Sequence, residues 1–259
     1  MSLLRLYLHG IRLGIAVRAT DRLDFLASLL VMLGIELLPS LVVVLLYGNG
    51  LAFPGWTIHE ALLIQGVFLV ARGIAYPFFG GMVWNTTEMV REGTFELLLL
   101  QPRHPLVLCV VRAFDAEDLG KLVGGAVLSA WCLSHLPDLS FLQVVAFLGL
   151  FATSLLVFAA SLVAMATLLI VWVGNFRVYE IFDTLASLGQ YPPTVLPAKV
   201  RAAALAPVPV LGLAVLPASA LLGRSIEGWP WVLGSAVAGL ALSLVAWNFM
   251  VRRLSGAGG

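Results

Sequence analysis

From Phe25 to Tyr47 the only charged side chain is Glu36, and from Phe141 to Val173 there is none. A run of about 20 apolar residues carries a helix across the roughly 30 Å hydrocarbon layer of a bilayer. Lipid offers no water to satisfy backbone amides, so each crossing must close its own hydrogen bonds, and an open sheet or irregular coil is excluded. Further apolar runs fall at 60–83, 118–135 and 229–250, beside the first two at 24–47 and 141–173. The chain is 61% hydrophobic and only 11% charged, whereas soluble domains stay near half and a quarter. The fold class is therefore an all-α membrane protein, one transmembrane domain over residues 1–259, with a bundle spanning 24–250.

Residues 1–22 are a different object. Arg5, His9 and Arg12 recur at i, i+4 and i+7 among leucines, which suits an interfacial helix in the headgroup layer; the alternative is a downward extension of the first span. The run at Phe25–Tyr47 is longer than a signal core and ends in no small-residue cleavage pattern. Between 175 and 228 two readings compete for the fifth span. Hydropathy favours 202–222, but Pro207, Pro209 and Pro217 fall inside it, and each proline removes a donor that lipid cannot replace. The other candidate is 176–195, which carries Asp183. On that second reading Pro197–Leu222 forms an outer re-entrant hairpin and the bundle has six transmembrane helices.

Placement of positive charge sets the orientation. With the N-terminus inside, inner segments hold Arg5, Arg12, Arg18, Arg22, Arg91, Arg103, Arg112, Lys121, Arg177, Arg252 and Arg253, eleven of the fifteen Lys and Arg, and loops 48–59 and 136–140 hold none. Both termini are expected in the cytoplasm, with Trp56, Trp229 and Trp231 at the outer interface. No basic run or face suits nucleic acid. Cys109 and Cys132 suggest neither a disulfide framework nor a metal site, and the histidines at 9, 59, 104 and 135 are too scattered for one.

The longest inner connection, 84–117, contains VREGTFELLLLQP at 90–102. Asn85 followed by Glu88 resembles a helix start; Gly93 permits a turn; Thr94 is placed to cap a second short helix that ends at Pro102. The run Arg91-Glu92-Gly93-Thr94-Phe95-Glu96-Leu97-Leu98 through Pro102 resembles the R-E-x-G-T-x-E-x-L-L-x-x-P pattern of ABC-2 type permeases, short of one residue between Glu92 and Gly93. The later YPPTVLPAKVRAAALAPVPVLGLAVLPASALLG is similar to the family's outer region before the last helix. The resemblance extends over nearly the whole chain, closest to a bacterial branch of about 260 residues.

That resemblance implies a coupling helix at Arg91, Glu92, Gly93, Thr94, Phe95, Glu96 and Leu97, docking into a separate ABC ATPase dimer, with a second contact at Asn175 and Arg177. It implies half of an exporter's pathway in a bacterial cytoplasmic membrane, completed by a second permease that is either a sibling, the favoured reading, or a second copy of this chain. ATP and Mg would belong to the ATPase; this chain would hold no cofactor, metal or catalytic residue. No nucleotide-binding domain is expected here: Leu119-Gly120-Lys121-Leu122 lacks the leading glycines and the hydroxyl of a P-loop. An outer half with few charges favours a lipophilic or amphiphilic cargo. The competing classes are an ion-driven secondary transporter, for which the two halves show no clear repeat, and a membrane scaffold.

Glu36 and Arg72 each lie about 12 residues into antiparallel spans, roughly 18 Å from opposite faces. Isolated charges near mid-membrane are costly, so the two are expected to form an ion pair, the alternative being that each faces another helix or a water-filled cavity. Gly120 and Gly124 offer a small-residue face for close helix approach.

Overall fold

A computed structural model describes residues 3–18, 22–172, 177–197, 212–226 and 228–257. Among them there is no strand. The helices are α1 (Leu3–Arg18), α2 (Arg22–Gly48), α3 (Ile58–Arg91), α4 (Phe95–Leu99), α5 (Pro105–Arg112), α6 (Leu119–Leu133), α7 (Phe141–Val171), α8 (Arg177–Ser187), α9 (Val215–Leu221) and α10 (Trp229–Ala257). Among the described residues four, α2, α3, α7 and α10, are long and apolar enough to cross a membrane, and the chain is a multi-pass helical membrane protein. At 1.5 Å per residue α6 reaches only about 22 Å and α8 about 16 Å.

Helix α3 is the central post. It is buried on nearly every side from Ala61 to Pro77 and apolar there except mainly at Gln65 and Arg72, the pattern of a helix surrounded by others. Glycines let α6 come close: a Cβ on Gly73 would strike the Leu122 backbone, and one on Gly125 would lie 2.6 Å from the Val70 amide. The Gly120–Gly124 face turns the other way, toward Leu29 and Leu33 of α2. Helix α2 itself buries only Ser40 and Val43. Helix α10 lies along α7 through one stripe, Val232, Ala236, Ser243 and Trp247.

The end of the bundle that carries the 49–57 and 134–140 connections is called upper below, and the end that carries α4 lower. Capping boxes at Thr57–Glu60 and Ser140–Gln143 start α3 and α7 at the upper end. There the His59 and His135 rings stack at 4.6 Å. Arg224 donates to Glu60 Oε1 and Oε2 and to the Gly55 carbonyl, each at 2.8 Å, and lies over the Trp56 ring at 4.1 Å.

The structure departs from the sequence reading at three places. No helix starts at Asn85: α3 runs unbroken to Arg91 because no glycine or proline interrupts Trp84–Arg91, and Asn85 Nδ2 donates to the Arg112 carbonyl. Thr94 does occupy an N-cap position, but its hydroxyl donates back to Met89 O at 3.3 Å and caps nothing. The short helix stops at Leu99, before Pro102, and an unforeseen α5 follows.

In the contested stretch, α8 gives way to 3-10 turns at Leu188–Gln190 and Pro193–Val195. Pro207 and Pro209, like Lys199, Arg201, Gly174, Asn175 and Phe176, lie outside the described residues. Pro217 sits within α9, whose residues are all buried. The Ser154 hydroxyl of α7 donates to Gly212 O at 2.8 Å, and a Cβ on Gly223 would meet Gln143 at 2.9 Å. Ser154 lies eleven residues below Gln143 along α7, so the segment from Gly212 to Gly223, which contains α9, climbs about 16 Å toward the upper end.

Candidate functional site

Two groups of residues carry polarity where an apolar bundle would not place it. The first is the lower-end segment after α3. Gly93 turns the chain at φ +71°, a left-handed conformation that costs little only for glycine. Helix α4 then buries Phe95 and Leu98 and exposes Glu96 and Leu97. Leu97 is 63% exposed and Leu100 82%. Arg91, Glu92 and Gly93 are exposed beside them, with Thr94 half-buried. So a rod of five residues is gripped on one side and presents a mixed acidic and leucine face on the other.

The grip is specific. The Phe95 ring meets the fully buried Trp247 of α10 edge-on at 6.4 Å. Beyond α4, His104 Nε2 lies 3.0 Å from Asn248 Oδ1. Beneath this, α5 packs on α3 and buries Cys109, whose thiol burial pushes up to about 11. Helix α1 crosses α5 where Gly10 and Gly14 let it touch Val111 and Phe114. Its Tyr7 stacks on Phe78 at 5.4 Å, and burial raises that hydroxyl to about 12. Arg5, His9 and Arg12 point outward from the same helix. Arg177 opens α8 and is exposed; Tyr179 meets Trp84 of α3 at 5.1 Å.

The second group lies inside the bundle. Arg72 Nη1 is 3.2 Å from Glu36 Oε2 of α2, so the two residues meet. Arg72 Nη2 is 2.9 Å from Asp183 Oδ1 of α8, which also accepts the Tyr76 hydroxyl at 2.7 Å. Lys121 of α6 lies 3.5 Å from Glu36 Oε1 and pairs with Asp118. The guanidinium rests 4.5 Å from the Tyr76 ring centre, and the Lys121 ammonium 4.9 Å from it. Arg72 is 9% exposed and Lys121 5%. Five charges from α2, α3, α8 and the start of α6 thus share one site, buried except at Asp183, whose side chain is 34% exposed; each lies beside an opposite charge, the arrangement that makes buried charge tolerable. Its buried Arg72 Nε has no partner.

Of these, Lys121, Tyr76 and Asp118 were not singled out as site residues by sequence. A lysine three residues into an apolar run was a usable signal for the first; nothing in the sequence marked Tyr76. Among the described residues no cluster of three His, Cys, Asp or Glu side chains could hold a metal ion. The geometry of the described residues is that of an apolar helical bundle with these two polar groups set into it. It offers an exposed acidic and leucine face, a buried electrostatic hub, and a helical frame joining them.

A family model described as ABC-2 family transporter protein matches residues 30–258. No curated protein and no solved structure matches the chain.

Proposed function

The chain belongs to the ABC-2 family of transporters, and from that premise we propose that it is the membrane subunit of an ATP-driven exporter, working on a separate ABC ATPase. On this reading the lower end faces the cytoplasm, both termini lie inside, and the membrane is the bacterial cytoplasmic membrane. Helices α2, α3, α6, α7 and α10 supply five crossings. Helix α8 and the turns after it supply a sixth, discontinuous one, and α9 is the returning limb of an outer re-entrant hairpin. Helix α1 lies in the inner headgroup layer. One such subunit makes half a pathway, and a sibling permease supplies the other half. ATP and Mg bind the ATPase; this chain orients and moves.

The observation that carries the reading is the divided face of α4. A helix of five residues is marginal alone, yet this one is held by Phe95 and Leu98 and leaves Glu92, Glu96, Leu97 and Leu100 uncovered. That suits a short rigid element seated in a groove of a moving partner. The exposed Arg177 at the start of α8 stands for the second, smaller contact, with Asn175 before it. An apolar cavity of about 330 Å³ among α3, α6 and α7, lined by Val67, Ser129, Leu133 and Phe147, favours a lipophilic cargo.

The test is co-purification from native membranes. An ATPase with a P-loop should accompany the tagged chain. It should be lost from a Glu92→Lys, Gly93→Pro, Glu96→Lys variant that still inserts. An ATPase retained at normal yield would remove α4 from the docking role. The buried charges would suit an ion-driven carrier instead; transport that follows a proton or sodium gradient with no ATPase bound would establish that class.

A further inference from the structure

We propose that α10 is a push rod that links the docking helix α4 to the upper segment at α9, with Phe95 and Trp247 as its lower hitch. The proposal rests on the reading of α4 as the ATPase-docking element. The obvious route for movement is α3, which continues directly into the Gly93 turn. But α3 is buried on nearly every side, and a post packed all round is the element least free to shift.

Helix α10 has the opposite character. It contacts α7 along the single stripe Val232, Ala236, Ser243 and Trp247, and most of its remaining surface is exposed. The seam is shallow: a Cβ on Gly239 would lie 3.8 Å from Ala160 Cβ. Between Val232 and Trp247 the stripe carries the small residues Ala236, Gly239 and Ser243, and such a contact permits the sliding of packed helices typical of shear motion.

Both ends of the rod are attached. At the lower end Trp247 is wholly buried against Phe95, and the neighbouring Asn248 meets His104, so the segment is hooked both within α4 and just beyond it. At the other end of the rod, level with Ser154, Val232 is buried, and a Cβ on Gly212 would lie 2.5 Å from Val232 Cγ1. Gly212 in turn is tied to α7 through Ser154 and leads into α9. Val232 and Trp247 are fifteen residues apart, about 22 Å of stiff helix. A displacement of α4 therefore arrives at the start of α9 along α10 rather than along α3. Phe95 and Trp247 are positioning residues in this scheme; both side chains are buried within this chain.

The experiment uses the full complex with its ATPase in nanodiscs. Spin labels on cysteines at Phe141 and Trp231, both exposed at the upper end, report their separation with and without Mg-ATP and vanadate. Cys109 and Cys132 are buried and remain unlabelled. The otherwise unmodified complex should show a nucleotide-dependent shift. Trp247→Ala should lose it while the ATPase still co-purifies, and Trp247→Phe should keep it. Phe95→Leu, which keeps α4 apolar, reads the ring contact alone and should diminish it. A full shift in both Trp247→Ala and Phe95→Leu, or no shift in the parent complex despite bound ATPase, overturns the push rod. A parent preparation without ATPase overturns the functional reading itself, and the rod with it.

Discussion

Arg72 is the residue on which most of the intramembrane polarity converges. Its two Nη groups serve carboxylates on different helices, Glu36 and Asp183. Removing it leaves Glu36 with Lys121 alone and Asp183 with only the Tyr76 hydroxyl, whereas removing Glu36 leaves one Nη group of Arg72 without its carboxylate while the other keeps Asp183. Breaking a desolvated pair commonly costs about 3–5 kcal/mol, while replacing both partners is far milder. Arg72→Met should therefore melt well below Glu36→Gln, and the double variant should recover part of the loss. Thermal melting in detergent measures this, and strictly additive losses would show that the two side chains do not depend on each other.

Among the elements, close contact of α3 with α6 depends on absent side chains. Gly73→Leu must displace the Leu122 backbone, whereas a Cβ on Gly34 or Gly149 would meet nothing within 4 Å. Forcing methylenes into a packed seam costs about 1–3 kcal/mol, more where backbone must yield. Gly73→Leu should collapse the monodisperse peak in size-exclusion chromatography, and Gly34→Leu should leave it intact. Element identity was readable where apolar runs are long: 24–47, 60–83, 141–173 and 229–250 correspond to α2, α3, α7 and α10. It was unreadable at α5, whose six apolar residues Leu106–Val111 fit a strand or a loop as well as a helix. The end of α3 was misjudged because polarity at Asn85–Thr87 looks like an exit from the membrane, while Thr86 and Thr87 are in fact buried. Glu36 and Arg72 could be matched by counting from opposite faces. Lys121 and Tyr76 could not, since joining them requires the rotation of α6 and α3 about their own axes.

At the scale of the whole molecule, orientation is testable because both native thiols are out of reach. Cys109 and Cys132 are fully buried, and the raised Cys109 thiol stays protonated, hence unreactive, at pH values near 8. The parent chain should resist an impermeant maleimide on intact and opened cells alike. Asp138→Cys should label on intact cells, and Arg103→Cys only after the membrane is opened. The reverse pattern would turn the protein over.

The hub also imposes an order on biosynthesis. Glu36 leaves the ribosome 36 residues ahead of Arg72, and Lys121 follows much later. When α2 first meets the bilayer, its carboxylate has no counter-charge, and an acidic side chain at mid-helix costs about 2.5–3.5 kcal/mol of insertion free energy. The remaining apolar residues of α2 can carry that load, but α3 lightens it. A nascent chain truncated after Gly48 should insert less completely than one extended through Arg91, and Glu36→Leu should erase the difference. The same charges that fasten the helices together in the finished protein thus make the second span a chaperone for the first.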